Sequence, residues 1–160
     1  MNKLALKPLK IGNFEVGPNR PPFIIAEIGI NHNGDMELAK KMILSAKKAG
    51  ASAVKFQSWK TNKLTAKKSV KAEHHLKDLG CDGEIYDLLK RVEFKKEHHF
   101  EINEFCKQND IIFMSSVFDE EGLVLLEEIG VVAHKLASMD LNYIDLVRKV
   151  ARTQKPLIIS

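Results

Sequence analysis

Along this 160-residue chain, side chains that can hold or move charge gather where apolar runs end. Glu27 closes the run Phe23-Ile24-Ile25-Ala26 and is followed by Asn31, His32 and Asn33. Lys55 and Gln57 sit inside "ASAVKFQSW", and Ser115 and Ser116 inside "IIFMSSVF". Lys135, Ser138 and Asp140 lie in and just after "AHKLAS", and Ser160 ends "PLIIS". A lysine among Val, Phe, Leu and Ala is costly unless it is paired. Two such lysines and a ring of hydroxyls make a cage for a phosphate-like anion, because ammonium groups attract it and hydroxyls orient its oxygens. Ser116, Ser138 and Ser160 follow one another at intervals of 22 residues, which predicts three hydroxyls at one level of successive strands. Lys55 and Gln57, two apart, share a strand face. Lys135 and Ser138, three apart, reach one pocket only if the strand is bulged or turns between them. Taken singly these residues have plainer readings, Lys55 as a snorkelling strand-end lysine and the serines as loop residues. A polar cluster at every strand end favours a shared functional site.

The elements that must position these groups alternate. "KIGNFEVG", residues 10 to 17, predicts a short hairpin ahead of the main body. Phe23 to Gly29 reads as the first main strand. Asp35 then reads as an N-cap, Leu38, Met42, Ala46 and Ala49 as one apolar helical face, and Gly50 as a left-handed cap. The strand "ASAVKFQSW" comes next, and then residues 60 to 83, a long basic segment of the kind that is functional or mobile in compact domains. Helical patterns follow near 84–92 and 95–109. Strand "IIFMSSVF", helix "EEGLVLLEEIG", strand "AHKLAS", helix "NYIDLVRKVARTQ" and strand "PLIIS" complete the chain. Apolar strands alternating with helices predict a parallel sheet covered on both faces. The turn "GINHNG" has neither a dinucleotide-binding nor a P-loop pattern, and a polar cluster at strand ends suits a barrel mouth. The expected fold is therefore α/β: the first five βα units of a TIM (β/α)₈ barrel, with residues 1–20 as a hairpin extension and 21–160 as a partial barrel domain. A full barrel needs eight strands and about 250 residues. The expectation is thus a part of a longer protein, which by itself would oligomerise or be poorly soluble.

Composition narrows the function classes. Hydrophobic residues make up 44% of the chain, enough for one sizeable core. The formal charge of +4 comes from interspersed residues, which gives no nucleic-acid-binding stripe but favours small anionic substrates. No apolar run is long enough to span a bilayer, no signal peptide is legible, and a cytoplasmic location is expected. Cys81 and Cys106 lack metal or redox spacing, and Cys106 reads as a buried free thiol. His74-His75 and His98-His99 read as exposed residues of basic or helical segments, and Trp59 and Tyr86 as packing residues.

Several ordered motifs together, "FIIAEIGINHNGDMELAKKMILSAKKAGASAVKFQSWK", "IIFMSSVFDEEGLVLLEEIG" and "HKLASMDLNYIDLVRKVARTQKPLIIS", closely resemble the N-terminal barrel of the N-acetylneuraminate (sialic acid) synthase family, which includes legionaminic and pseudaminic acid synthases. The resemblance implies condensation of phosphoenolpyruvate with N-acetylmannosamine or a related amino sugar, with release of phosphate. It implies a divalent metal, Mn²⁺ or Mg²⁺, whose histidine ligands lie on later strands than those present here, and a homodimer for the full-length form. By motif, Lys55, Ser116, Lys135, Ser138 and Ser160 fall on phosphoenolpyruvate-binding positions, and Gln57 falls on a sugar-contacting one. Glu27 matches a carboxylate lining the active site, and Asn31 and His32 would shape the same mouth. Two positions depart from the family's pattern. The family's glycine-glutamate is Met139-Asp140 here, with Asp140 expected as a shorter general acid/base, and its threonine-proline is Ser116-Val117. The resemblance thus implies a transferase-type synthase that this 160-residue chain would not run alone. The alternatives are a non-catalytic phospholigand-binding module and another aldolase-type barrel.

Overall fold

The computed structural model describes residues 7–65 and 85–160. Most of the basic segment, with His74-His75 and Cys81, lies outside the described residues. The chain opens with a hairpin of β1 (Leu9–Ile11) and β2 (Phe14–Val16). Next come β3 (Ile25–Gly29), α1 (Met36–Lys48), β4 (Ala53–Ser58) and the short α2 (Thr61–Leu64). After the gap follow α3 (Ile85–Val92), α4 (Lys96–Gln108), β5 (Ile112–Val117) and α5 (Glu120–Ile129). The chain closes with β6 (His134–Leu136), α6 (Ile144–Arg152) and β7 (Leu157–Ile159).

Strands β3 to β7 form one parallel sheet in sequence order. A doubly wound sheet would reverse its strand order at a switch point. Here every crossover advances to the next strand in the same direction, which is the winding of a (β/α)₈ barrel. Residues at alternate positions therefore serve two layers. Val54, Phe56, Phe113, Val117 and Leu136 join Ile43, Ile102 and Leu126 of the helices in the larger apolar cluster. On the opposite face Ala53, Met114 and Ala133 meet Ile11, so the hairpin packs under the N-terminal end of the sheet. Each fully buried Ile, Leu or Phe of this kind contributes roughly 1.5–3 kcal/mol. Among the described residues no helix is long and apolar enough to cross a membrane.

Local signals act where the sequence places them. The Asp35 side chain accepts from the backbone N–H groups of Glu37 and Leu38, at 2.8 and 3.1 Å, and caps α1. Asp119 caps α5 by accepting from the Gly122 N–H at 2.6 Å. Two expectations about extent are corrected. The first main strand begins at Ile25 rather than Phe23. Strand β6 stops at Leu136 rather than Ser138, because Ser138–Asp140 wind into a 3₁₀ turn.

Gly34 lets two segments touch. Its φ is +81°, and a Cβ there would lie 2.7 Å from the Arg91 carbonyl oxygen, whereas a Cβ on Gly50 (φ +87°) would meet nothing within 4 Å among the described residues. Gly34→Ala is expected to cost about 3 kcal/mol and Gly50→Ala about 1 kcal/mol. Equal losses by chemical denaturation would show that the Arg91 approach does not constrain the 31–34 loop.

Candidate active site

Lys55 lies mid-strand on β4 and, with Gln57, shares the face of Ala53 that looks away from the helices. Parallel register sets Glu27 of β3 beside Lys55, and their Oε2 and Nζ atoms are 2.5 Å apart. The same ammonium donates to Ser116 Oγ of β5 at 3.1 Å. Ser116 is in turn the register partner of Lys135 on β6. Lys135 donates to the Leu136 carbonyl at 2.7 Å and to the Ser160 hydroxyl just past β7. One row therefore runs Glu27, Lys55, Ser116, Lys135, Ser160 across all five strands. A register shift between Glu27 and Gly29 pairs Gly29, at φ +56°, with Phe56, the residue after Lys55. A Cβ there would sit 3.3 Å from Glu27 Oε1 and 3.6 Å from Gln57 Nε2, so the bare glycine leaves room for the acid and the amide to converge.

Charge is concentrated in this row. Burial holds the Lys135 ammonium below the ordinary lysine range, and repulsion from Lys55 adds to it, with Glu27 and Asp140 partly offsetting both. Asp140 is 9% exposed, and its Oδ2 has no hydrogen-bond partner among the described residues. Burial pushes its carboxyl up, partly countered by Lys135. One buried and one half-buried cation, beside a carboxyl whose proton affinity burial raises, form an environment that an entering anion relieves.

The other expected residues are placed differently. The equal 22-residue spacing does not give equal register. Ser116 pairs with Lys135 and Lys135 with Ile158, so Ser160 stands two residues farther along its strand and Ser138 three. Ser138 is exposed and opens the 3₁₀ turn. Asn31 is exposed in the turn after β3. His32 does not shape the mouth: it is 2% exposed, its ring centroid is 3.9 Å from that of Phe94 and 5.8 Å from that of Phe56, and its Nδ1 accepts from the Gly34 N–H. An imidazole over an apolar helical layer gains more from ring packing than from solvent.

Sequence reasoning missed a buried polar network on the helix side. Ser115 faces away from Ser116 and bonds Ser58 Oγ at 2.6 Å, and Ser58 Oγ lies 2.8 Å from His99 Nε2. His99 Nδ1 lies 2.8 Å from the Lys95 carbonyl, which can only accept, so Nε2 is the acceptor and Ser58 the donor. His99 is 2% exposed, which corrects the reading of His98-His99 as exposed. The available signal was parity: Ser58 and Ser115 stand two positions after Phe56 and Phe113, on the strand face that meets helices. Cys106 is fully buried, and burial pushes its thiol up to about 12.

Beside the row, a cleft of about 550 Å³ opens at the strands' C-terminal ends, with Lys63, Phe118, Asp119, Met139, Asp140 and Tyr143 in its wall. Among the described residues no three His, Cys, Asp or Glu side chains gather closely enough to hold a metal ion. The divalent cation implied by the resemblance thus does not fit these residues.

The NeuB family model matches residues 42–160. The chain is 39% identical over 155 residues to an uncharacterized protein of Methanocaldococcus jannaschii, covering 97% of this chain and 42% of that protein. It is 38% identical over 144 residues to the N,N'-diacetyllegionaminic acid synthase of Legionella pneumophila, covering 90% and 40%. Among solved structures, the N-acetylneuraminic acid (sialic acid) synthetase of Leptospira borgpetersenii, crystallised with citrate, superposes with a TM-score of 0.79 at 34% identity, covering 96% of this chain and 49% of that one. The chain thus spans about two-fifths of the length of the curated relatives it matches.

Proposed function

The chain belongs to the NeuB family, and from that premise we propose that it supplies the phosphoenolpyruvate-binding part of a nonulosonic acid synthase. The proposed reaction condenses phosphoenolpyruvate with N-acetylmannosamine or a related N-acetylated amino sugar, giving a sialic-type acid and phosphate. The longer protein is proposed to work in the cytoplasm as a homodimer, with residues 21–160 as part of its catalytic barrel and 1–20 as an extension. One observation carries the reading: the Glu27–Lys55–Ser116 contacts continue through Lys135 to Ser160 along a single row.

In this reading Lys55 and Lys135 attract the phosphate and carboxylate of phosphoenolpyruvate, while Ser116, Ser138 and Ser160 orient its oxygens. Gln57 and Asn31 contact the sugar. The enol double bond supplies the electron pair that joins C3 of phosphoenolpyruvate to the aldehyde carbon of the open-chain sugar, and C2 becomes cationic. Water adds to C2, and the C2–O bond to phosphate then breaks, releasing phosphate and the 2-keto acid. Asp140, whose carboxyl burial raises above its ordinary proton affinity, is proposed to give a proton to the aldehyde oxygen as it becomes a hydroxyl. Glu27 holds Lys55 in place and accepts a proton from the attacking water. Mn²⁺ or Mg²⁺ stays part of the proposal, with ligands outside the described residues, and none of these steps is routed through it.

The test is phosphate release by the full-length protein, which is expected to require both phosphoenolpyruvate and the amino sugar. Asp140→Asn is expected to lower kcat by about 100-fold or more while phosphoenolpyruvate affinity stays within a few-fold. No release with any N-acetylhexosamine would reject the synthase reading, and full turnover by the Asn variant would reject the role of Asp140.

A further inference from the structure

The helix-facing side of β4 and β5 is apolar except at one corner. Val54, Phe56, Phe113 and Val117 join the larger apolar cluster there, yet Ser58 and Ser115 stand on the same side, each at most 1% exposed. His99 of α4 completes the corner, and the order of protons along it is fixed. The Lys95 carbonyl only accepts, so His99 Nδ1 donates to it, Nε2 accepts from Ser58, and Ser58 Oγ accepts from Ser115 at 2.6 Å. The Ser116 carbonyl, 3.4 Å from Ser115 Oγ, is the weaker alternative for that last proton.

Stability alone does not call for these groups. Apolar side chains of similar shape would pack here at little or no loss, and would avoid taking three polar groups out of water. What the chain of bonds adds is direction, since each bond holds one orientation where apolar contacts tolerate several. Packing beside it is open: a cleft of about 390 Å³ has Ser58, Trp59, Phe94, His99 and Leu125 in its wall. Hydrogen bonds rather than close packing therefore hold this corner of the sheet. Just past it, the Thr61 N–H and Oγ1 donate to Glu93 at 3.0 and 2.7 Å, so residues 58–61 are tied at both ends.

The corner lies directly behind the anion row. Ser58 follows Gln57, Ser115 precedes Ser116, and Gln57 and Ser116 are register partners on the opposite face. Ser116 Oγ accepts from Lys55 at 3.1 Å, and its direction follows from the backbone that Ser115 shares with it. We propose that Ser58, Ser115 and His99 are positioning residues, whose hydrogen-bonded chain on the helix side aims the Ser116 hydroxyl at the anion bound on the other side. The inference rests on the synthase reading, with phosphoenolpyruvate as that anion, and adds three residues that never touch it.

The experiment measures phosphoenolpyruvate binding to the full-length protein by calorimetry, with steady-state phosphate release and unfolding midpoints alongside. Ser58→Ala is expected to weaken phosphoenolpyruvate binding about tenfold, part of what a charge-assisted hydrogen bond is worth, while kcat falls by less than about threefold. Ser58→Thr keeps the hydroxyl and is expected to restore affinity to within about twofold. Cys106→Ala, a buried change on the helix of His99 that breaks no bond of the chain, is expected to lower the unfolding midpoint and leave affinity unchanged. In a Ser116→Ala background, Ser58→Ala is expected to change affinity by less than about threefold, because the hydroxyl that it positions is already gone. Ser115→Ala breaks the chain one bond closer to Ser116 and carries the same expectation if Ser58→Ala does not fold. Unchanged affinity in either folded variant overturns the inference and leaves the synthase reading standing. A loss that persists without the Ser116 hydroxyl, or that Cys106→Ala reproduces, also overturns it. A parent protein that does not bind phosphoenolpyruvate overturns the inference and the synthase reading together.

Discussion

Replacing Lys55 with methionine in the full-length protein is expected to abolish measurable phosphoenolpyruvate binding and to lower turnover by about 1,000-fold or more. Methionine keeps most of the volume of the lysine stem, so the strand still packs, but the ammonium is lost. That ammonium, on a side chain only 11% exposed, sits 2.5 Å from Glu27 and bonds Ser116. Without it the row would keep one cation, Lys135, and Glu27 would present an uncompensated carboxylate to the incoming anion. A charge-assisted hydrogen bond is worth about 1.5–3 kcal/mol, and the replacement of attraction by repulsion adds to that loss. Calorimetric titration with phosphoenolpyruvate and steady-state phosphate release read the two effects, and an unfolding midpoint near that of the parent excludes a folding defect. Normal affinity and rate in a folded variant would show that the anion binds elsewhere.

Acid is expected to destabilise the protein between about pH 6.5 and about pH 4, with three buried imidazoles as the cause. His32, His99 and His134 are each at most 2% exposed. Burial, the largest influence on each, lowers all three below the ordinary value of 6.5, and His32, also repelled by His99 and His98, is brought to about 4. The sign follows from where protons bind. Below pH 6.5 the unfolded chain takes up protons that the folded chain refuses, so folding weakens as pH falls and is at full strength above 6.5. For His32 alone the loss amounts to about 3 kcal/mol on reaching pH 4. Local bonding agrees with this, because His32 Nδ1 accepts from the Gly34 N–H and a proton there would set two donors against each other. His134 Nδ1 is buried without a partner among the described residues, while its Nε2 lies 2.8 Å from Glu127. Urea unfolding at a series of pH values should show the slope, and His32→Phe should remove the largest part of it. A flat profile in the parent protein would mean that these rings are solvated in solution.

Much of the fold was legible because its code is local. Asp35 as a cap, Gly50 in a left-handed conformation and the order of strands and helices all follow from residue types within a few positions of one another. The hairpin too was visible in alternating apolar residues. Where extent was misjudged, the tertiary structure overrode the local pattern. "AHKLAS" continues as a strand on paper, yet only His134–Leu136 pair with neighbours, and Ser138 turns away.

The sequence alone determined which chemical groups are present and which strand faces Lys55, Gln57 and Ser116 occupy, because side-chain alternation along a strand is a property of the backbone. It did not determine height across strands. The interval of 22 residues suggested level serines, but the lengths of helices and loops decide register, and they set Ser116 beside Lys135 instead. Nor could it separate a histidine at the mouth from one in the core. His32 and His99 were assigned by what packs over them, Phe94 in one case and Ser58 in the other, and those neighbours are 62 and 41 residues away in the chain. Burial, and with it the shifted proton affinity of Asp140 and of the imidazoles, arises only when distant segments close over a group and remove water.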